Sequence, residues 1–301
     1  MVAFGNGAKR ILNSLGLSAS EKAEQQPQDD TVGKTLIVLI GASHYVAIFS
    51  AAEARSLPTE PVEGGMVDLR IFNAWKHGLN YGFAVPEDGV WVLEATLKEQ
   101  LTELTADYDR VIFFSVFGGN HHQVLTLIGH ERPYDVYMPE FSHVPLETDA
   151  EILSRSYVEQ TLLEFVIGPY RDISIFLRAF PKFEFWHIQS PPPIGDDTFV
   201  RSNIDSWFVE QMKLNSDFPL TPRYVRQKVW QIHSDLYHRE GQANGFELLP
   251  CPAGTRDAEG FLKPEFYSND ATHANPAYGE LVLQQMEQIA KANIDSFKTF
   301  G

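Results

Sequence analysis

The chain has 301 residues, 44% of them hydrophobic and 21% charged, a balance that excludes a disordered or fibrous chain. Its 24 basic residues face 40 acidic ones, for a net charge of −16, which argues against a nucleic-acid binder and against docking on anionic membranes. A single cysteine, Cys251, rules out an intrachain disulfide and a Cys-based zinc cage.

The first 17 residues carry Lys9 and Arg10 but no uninterrupted apolar stretch. No clear export signal is read there, and no apolar run in the chain reaches the ~18 residues of a membrane span, so a cytoplasmic location is expected. Ser18 to Asp30 is polar and rich in Glu and Gln. The expected organisation is a flexible lead over residues 1–31 and a single domain over 32–301.

The first element is the apolar run Thr35 to Ile40, closed by Gly41, which reads as a strand buried on both faces. An Ala-rich helix is expected over His44 to Leu57, a second strand over Met66 to Phe72 and a helix over Leu93 to Leu104. Arg110 to Phe117 is a third strand, stopped by Gly118-Gly119. Glu151 to Ile167 reads as a helix that ends at Gly168-Pro169. A fourth strand, Phe183 to Gln189, runs into Pro191-Pro192-Pro193, which makes a rigid exit. Thr221-Pro222 and Asn275-Pro276 are helix starts, each a capping residue followed by proline in the first turn. Phe246 to Leu249 is a weaker fifth strand, stopped by Pro250. Strands alternating with helices predict a three-layer α/β domain built on a parallel sheet.

Ligands of such sheets bind beyond the carboxyl ends of the strands. Three polar sets fall at or after strand ends: Gly41-Ala42-Ser43-His44, Gly118-Gly119-Asn120-His121 and Asp270-Ala271-Thr272-His273. A serine hydroxyl needs a base to take its proton, and His273 is a candidate. Asp270, three residues earlier, can hold that imidazole in the useful tautomer. Acyl transfer passes through an oxyanion that needs preorganised donors. The Asn120 amide, the Ser43 N–H and the N–H of a nearby glycine are the candidates. His44, Gly119 and His121 are candidate pocket residues.

These blocks resemble those of the SGNH (GDSL-type) serine hydrolases. Gly41-Ala42-Ser43 is similar to the family's Gly-Asp-Ser, Gly118-Gly119-Asn120 to its Gly-x-Asn, and Asp270-Ala271-Thr272-His273 to its Asp-x-x-His. The resemblance spans roughly residues 35–293. It implies a flavodoxin-like parallel sheet of order 2-1-3-4-5 in an α/β/α sandwich. It also implies ester hydrolysis or acyl transfer with no metal and no cofactor, on a small-molecule or glycan ester such as an O-acetyl carbohydrate. Ala42 departs from the usual Asp. The second-strand glycine is not clean either: Gly78 is the candidate, Gly82 the alternative, and the Ala74 N–H a third donor.

Three functions stay open at this point. They are a serine esterase acting through an acyl-enzyme on Ser43, a glycan O-acyltransferase using the same intermediate, and a non-catalytic binding module. A Rossmann fingerprint and a Gly-x-Ser-x-Gly elbow are both missing. His121 and His122 are adjacent and diverge, and His233 and His238 are five apart, so neither pair reads as a metal site. His187 reads as a core residue. Trp186, Trp207, Tyr224 and Trp230 read as core rather than as a substrate platform. About 60 residues separate Asn120 from the fourth strand and ~55 the fourth from the fifth, more than crossover helices need. They form a lid or wall, or else extra helical packing or a dimer surface.

Overall fold

The computed structural model describes residues 34–41, 43–57, 67–73, 83–211, 213–214 and 217–292. The expected lead over residues 1–31 lies outside these, as do Ala42, Ala74, Gly78, Gly82 and the side chain of Trp207. The described strands are β1 (Thr35–Gly41), β2 (Val67–Asn73), β3 (Ala84–Glu87), β4 (Val90–Leu93), β5 (Arg110–Ser115), β6 (Tyr134–Val136), β7 (Glu151–Leu153), β8 (Glu184–Ile188) and β9 (Glu247–Leu249). The helices are α1 (Tyr45–Ala54), α2 (Ala95–Thr105), α3 (His121–Thr126), α4 (Arg155–Ala179), α5 (Asp197–Ser202), α6 (Ser206–Gln211), α7 (Arg223–Asn244) and α8 (Pro276–Lys291).

β1 is flanked by β2 on one side and β5 on the other, and all seven of its residues are buried. Its unbroken apolar run is what a strand covered on both faces requires. β8 and β9 continue the sheet beyond β5, giving the all-parallel order β2-β1-β5-β8-β9. Counting only these five strands along the chain, the order is 2-1-3-4-5, as expected.

Side chains alternate across β1 and sort into two cores. Ile37 and Leu39 pack with Ile48 and Ala52 of α1 and Val282 and Met286 of α8. Leu36, Val38 and Ile40 pack with Leu97 and Leu101 of α2 and Ile173 and Phe176 of α4. The sheet is therefore the middle of three layers.

Several expected boundaries shift, each for a local reason. α4 does not stop at Gly168-Pro169 but runs for 25 residues with Pro169 inside it. An interior proline costs about 3 kcal/mol. Ile173 and Phe176, beyond the proline, are fully buried with Val166 before it. Two such side chains contribute about 1.5–3 kcal/mol each, enough to carry the helix through. Its start moves as well, because Glu151–Leu153 pairs with β6 and Ser154 is the cap, accepting from the Tyr157 N–H at 3.2 Å.

Leu93 closes a hairpin rather than opening a helix. β3 and β4 are joined by Asp88-Gly89, both at positive φ, the geometry a two-residue turn demands. Glu94 then caps α2 through its carboxylate. Asn275 caps α8 as expected, accepting from the Ala277 and Tyr278 N–H groups. Thr221 does not cap α7; Pro222 holds that position, and the Thr221 hydroxyl donates to the Ile128 carbonyl at 3.0 Å.

The two long connections pack on each other. Val136, Met138, Val158 and Leu162 of the first meet Val225, Val229, Ile232 and Leu236 of the second in a third apolar cluster. Beside it Lys228 and Asp135, each 1% exposed, form an ion pair at 2.8 Å.

α8 meets α1 at very short range through Gly279. A Cβ there would overlap the Ala47 carbonyl and stand 2.7 Å from the Ile48 nitrogen. Backbone cannot yield as a flexible side chain does. Gly279→Ala is therefore expected to cost at least about 3 kcal/mol in denaturant unfolding, the upper end of overpacking penalties. Gly168→Ala, with no neighbour within 4 Å of its Cβ position, is expected to be neutral or to stabilise by about 0.5–1 kcal/mol. Equal stability of the two variants would contradict the close α1–α8 contact.

Candidate active site

β1 ends at Gly41, where a Cβ would collide with Val116 of the neighbouring chain segment. The absence of that Cβ lets the end of β1 lie close to the segment that follows β5. Ser43 and His44 come next, in the turn that leads into α1, and the Ser43 carbonyl accepts from the Val46 N–H at 3.1 Å. Ser43 is partly buried and makes no side-chain hydrogen bond among the described residues. It is therefore not hydrogen-bonded to His273, its candidate base.

After β5 the chain turns at Gly118, φ +70°, a conformation that favours glycine. Asn120 occupies the cap position of α3, yet its side chain makes no cap hydrogen bond. Asparagine normally spends its side chain on such a cap. Here Oδ1 lies 2.6 Å from His44 Nε2, and Nδ2 lies 3.2 Å from His273 Nε2.

The third segment is built around Asp270. Its Oδ1 accepts from the Thr272 and His273 N–H groups, both at 2.8 Å, and from the Thr272 hydroxyl at 3.0 Å. The same carboxylate holds His273 Nδ1, at 3.0 Å from Oδ1 and 3.1 Å from Oδ2. Burial works to raise the Asp270 pKa, but the His273 contact and the two backbone N–H donors outweigh it and hold the carboxyl well below its usual range. Gln123 of α3 donates to the Thr272 carbonyl at 2.9 Å, tying the Asn120 segment to the His273 segment.

A cavity of about 380 Å³ adjoins this cluster, and Asn120, not being among the described residues that line it, touches it only through His44 and His273. Ser43, His44, Gly119, Asp270 and His273 line it together with an apolar wall that includes Val46, Ile48, Val116, Ile188 and Val282. Among the described residues its lining contains no lysine or arginine. Ile188-Gln189-Ser190-Pro191, the exit of β8, forms another side of the cavity. From the sequence that exit reads only as rigid, although it too follows a strand end, where ligands of such sheets bind. Ser268 and Asn269, also on the wall, carried no sequence signal.

Some candidates lie elsewhere. His121 does not line the cavity; its ring lies 6.4 Å from that of Phe165. His187 is buried in β8 with Nδ1 2.8 Å from the Ser115 hydroxyl, stacked on Tyr237 at 4.0 Å. Trp186 and Trp230 are buried in the core, while Tyr224 is only partly buried and its hydroxyl contacts Glu259. Gly78, Gly82 and Ala74 lie outside the described residues. No residue of α4, α5, α6 or α7 lines the cavity among the described residues; α4 and α7 pack on each other, and of the long connections it is Gln189, Ser190 and Pro191 that wall the cavity. Among the described residues, no group of three or more His, Cys, Asp and Glu side chains could hold a metal, and no helix is long and apolar enough to cross a membrane.

No family model and no curated protein matches the chain. GDSL- and SGNH-type esterases, acylhydrolases and acetyltransferases recur among the solved structures that do. One is the periplasmic domain of a lipopolysaccharide acetyltransferase from Salmonella ser. Paratyphi A, with 12% identity over 86% of this chain and 84% of that one, at a TM-score of 0.39. Another is a carbohydrate acetylesterase from Sinorhizobium meliloti, with 11% identity over 85% and 98% and a TM-score of 0.38. A GDSL-like lipase from Bacteroides thetaiotaomicron has 10% identity over 94% and 98%, with a TM-score of 0.33. Likenesses this distant leave the function to be argued from the site itself.

Proposed function

We propose that the protein is a serine esterase that hydrolyses a carboxylic ester through an acyl-enzyme on Ser43. The observation that carries this reading is the side chain of Asn120. It leaves its helix cap unmade and instead places an amide N–H on the base nitrogen of a histidine whose other nitrogen is held by a carboxylate. Ser43 opens onto the same cavity.

In this reading the Ser43 hydroxyl rotates towards His273 and gives its proton to Nε2 as oxygen attacks the ester carbonyl. Asp270 stabilises the imidazolium that forms. The oxyanion accepts from the Asn120 amide, whose bond to His273 gives way as Nε2 takes the proton, and from the Ser43 N–H as second donor. His273 returns the proton to the leaving alcohol. Water, activated by the same base, then releases the acid and restores the serine.

The substrate is a small or glycan ester with an uncharged acyl part, which the apolar wall of Val46, Ile48, Val116, Ile188 and Val282 suits. An O-acetylated carbohydrate is the first to try. An acyltransferase would differ only in the acceptor, so acid release is measured with and without a sugar alcohol.

The direct test is a fluorophosphonate probe, which labels only an activated serine. Labelling is expected at Ser43, located by peptide mass spectrometry, and is lost in Ser43→Ala. A wild-type protein that stays unlabelled would instead support a binding module.

A further inference from the structure

His44 takes no part in the bond-making steps above, yet its ring is wedged between two parts of the site. On one side is the Gly119 backbone, where a Cβ would stand 2.5 Å from His44 Cδ2 and 3.0 Å from Nε2. Only glycine at 119 admits the imidazole in this place. On the other side is the His273 ring, with centroids 4.8 Å apart and planes at 52°. Between them, His44 Nε2 reaches Asn120 Oδ1 at 2.6 Å.

The donor directions along this line follow from its far end. A carboxylate only accepts, so the hydrogen between Asp270 and His273 sits on Nδ1. In the neutral ring that a general base requires, Nε2 then carries a lone pair, and only a donor can face it. That donor is the Asn120 NH₂ group, which leaves Oδ1 towards His44. His44 must therefore donate from Nε2. Burial and the adjacent His273 push its pKa down to about 3, so the ring is neutral and has one N–H to give.

We propose that His44 is a positioning residue for Asn120: its Nε2–H holds Oδ1 and so keeps the amide N–H aimed at the reaction centre. This rests on the reading of Asn120 as an oxyanion donor. An asparagine amide has two nearly equivalent orientations about its last torsion. The wrong one would set an oxygen against a developing oxyanion. The contact with His44 removes that orientation before substrate arrives, which is the preorganisation such a donor needs.

Three substitutions separate aiming from packing. Glutamine can offer a donor near the position of Nε2, asparagine is too short to do so, and phenylalanine keeps the ring without a donor. His44→Gln is expected to retain kcat for a p-nitrophenyl ester within about threefold, while His44→Asn and His44→Phe lose about 10- to 100-fold, with KM little changed. A packing role would reverse the order, with phenylalanine the best replacement. That order, or a loss carried mainly in KM, overturns the proposal.

A second readout does not depend on turnover. Long-range proton–nitrogen spectra of the wild-type protein are expected to show His44 neutral and protonated on Nε2 between about pH 5 and 8. The Asn120 amide protons should exchange slowly in the wild type and in His44→Gln, and quickly in His44→Phe. A His44 ring protonated on Nδ1, or one that titrates in this range, overturns the proposal. Slow exchange and the Nε2–H tautomer in a protein that fails to react with the serine probe would uphold the positioning and remove the esterase reading instead.

Discussion

Ser43→Ala and His273→Ala are each expected to lower kcat by ~10⁴–10⁶, because a nucleophile and its base act as one unit. For the same reason the double variant should lose no more than either single one. Ser43 is partly buried beside a cavity and makes no side-chain hydrogen bond among the described residues. Its hydroxyl therefore contributes little to the fold, and thermal unfolding should not move. Asp270→Asn is expected to be milder, on the order of 10²–10⁴. The asparagine oxygen can still accept from the Thr272 and His273 N–H groups, so the segment that carries His273 survives. What is lost is the charge beside Nδ1. If Ser43→Ala kept more than about a tenth of the wild-type rate, the nucleophile assignment would fail, since uncatalysed background cannot supply that much.

The parts of the molecule legible in the sequence are those decided by neighbours along the chain. β1 announces itself because a strand buried on both faces has nothing but apolar residues to show. Asn275-Pro276 announces α8 because the cap and the first turn are local chemistry. The stop expected at Gly168-Pro169 was equally local in its logic, but burial of Ile173 and Phe176 overrides it. β7 is three residues long and exists only because Tyr134–Val136 lies beside it, which no run of sequence declares.

The candidate site divides in the same way. Ser43, Asn120, Asp270 and His273 stand out because each sits in a short block of polar residues and glycine that follows a strand or precedes a helix. The bond between His44 and Asn120 spans 76 residues and forms only because β1 and β5 are neighbours in the sheet. Nothing local marks it. The glycine at 119 is its trace in the sequence, where it reads as a strand stop and a candidate pocket residue.

Asn120→Ala is expected to lower kcat by ~10²–10³ with little change in KM, the usual effect of removing one oxyanion donor. The case for chemistry rather than structure comes from where the backbone and the side chain of Asn120 each go. The Asn120 carbonyl accepts from the Gln123 and Val124 N–H groups, and alanine keeps both of those bonds. The side chain makes no cap for α3, so the helix loses nothing at its start. Unfolding should therefore stay close to wild type while turnover falls. Asn120→Asp is expected to be worse than alanine. A carboxylate would set acceptors against both the His273 lone pair and the developing oxyanion, and its charge would oppose the one that forms. An effect confined to KM would assign the amide to ground-state binding. A rate loss that tracked a fall in stability would return it to structure. In either case the oxyanion role would have to be sought after β2, in the N–H groups of residues 74–82.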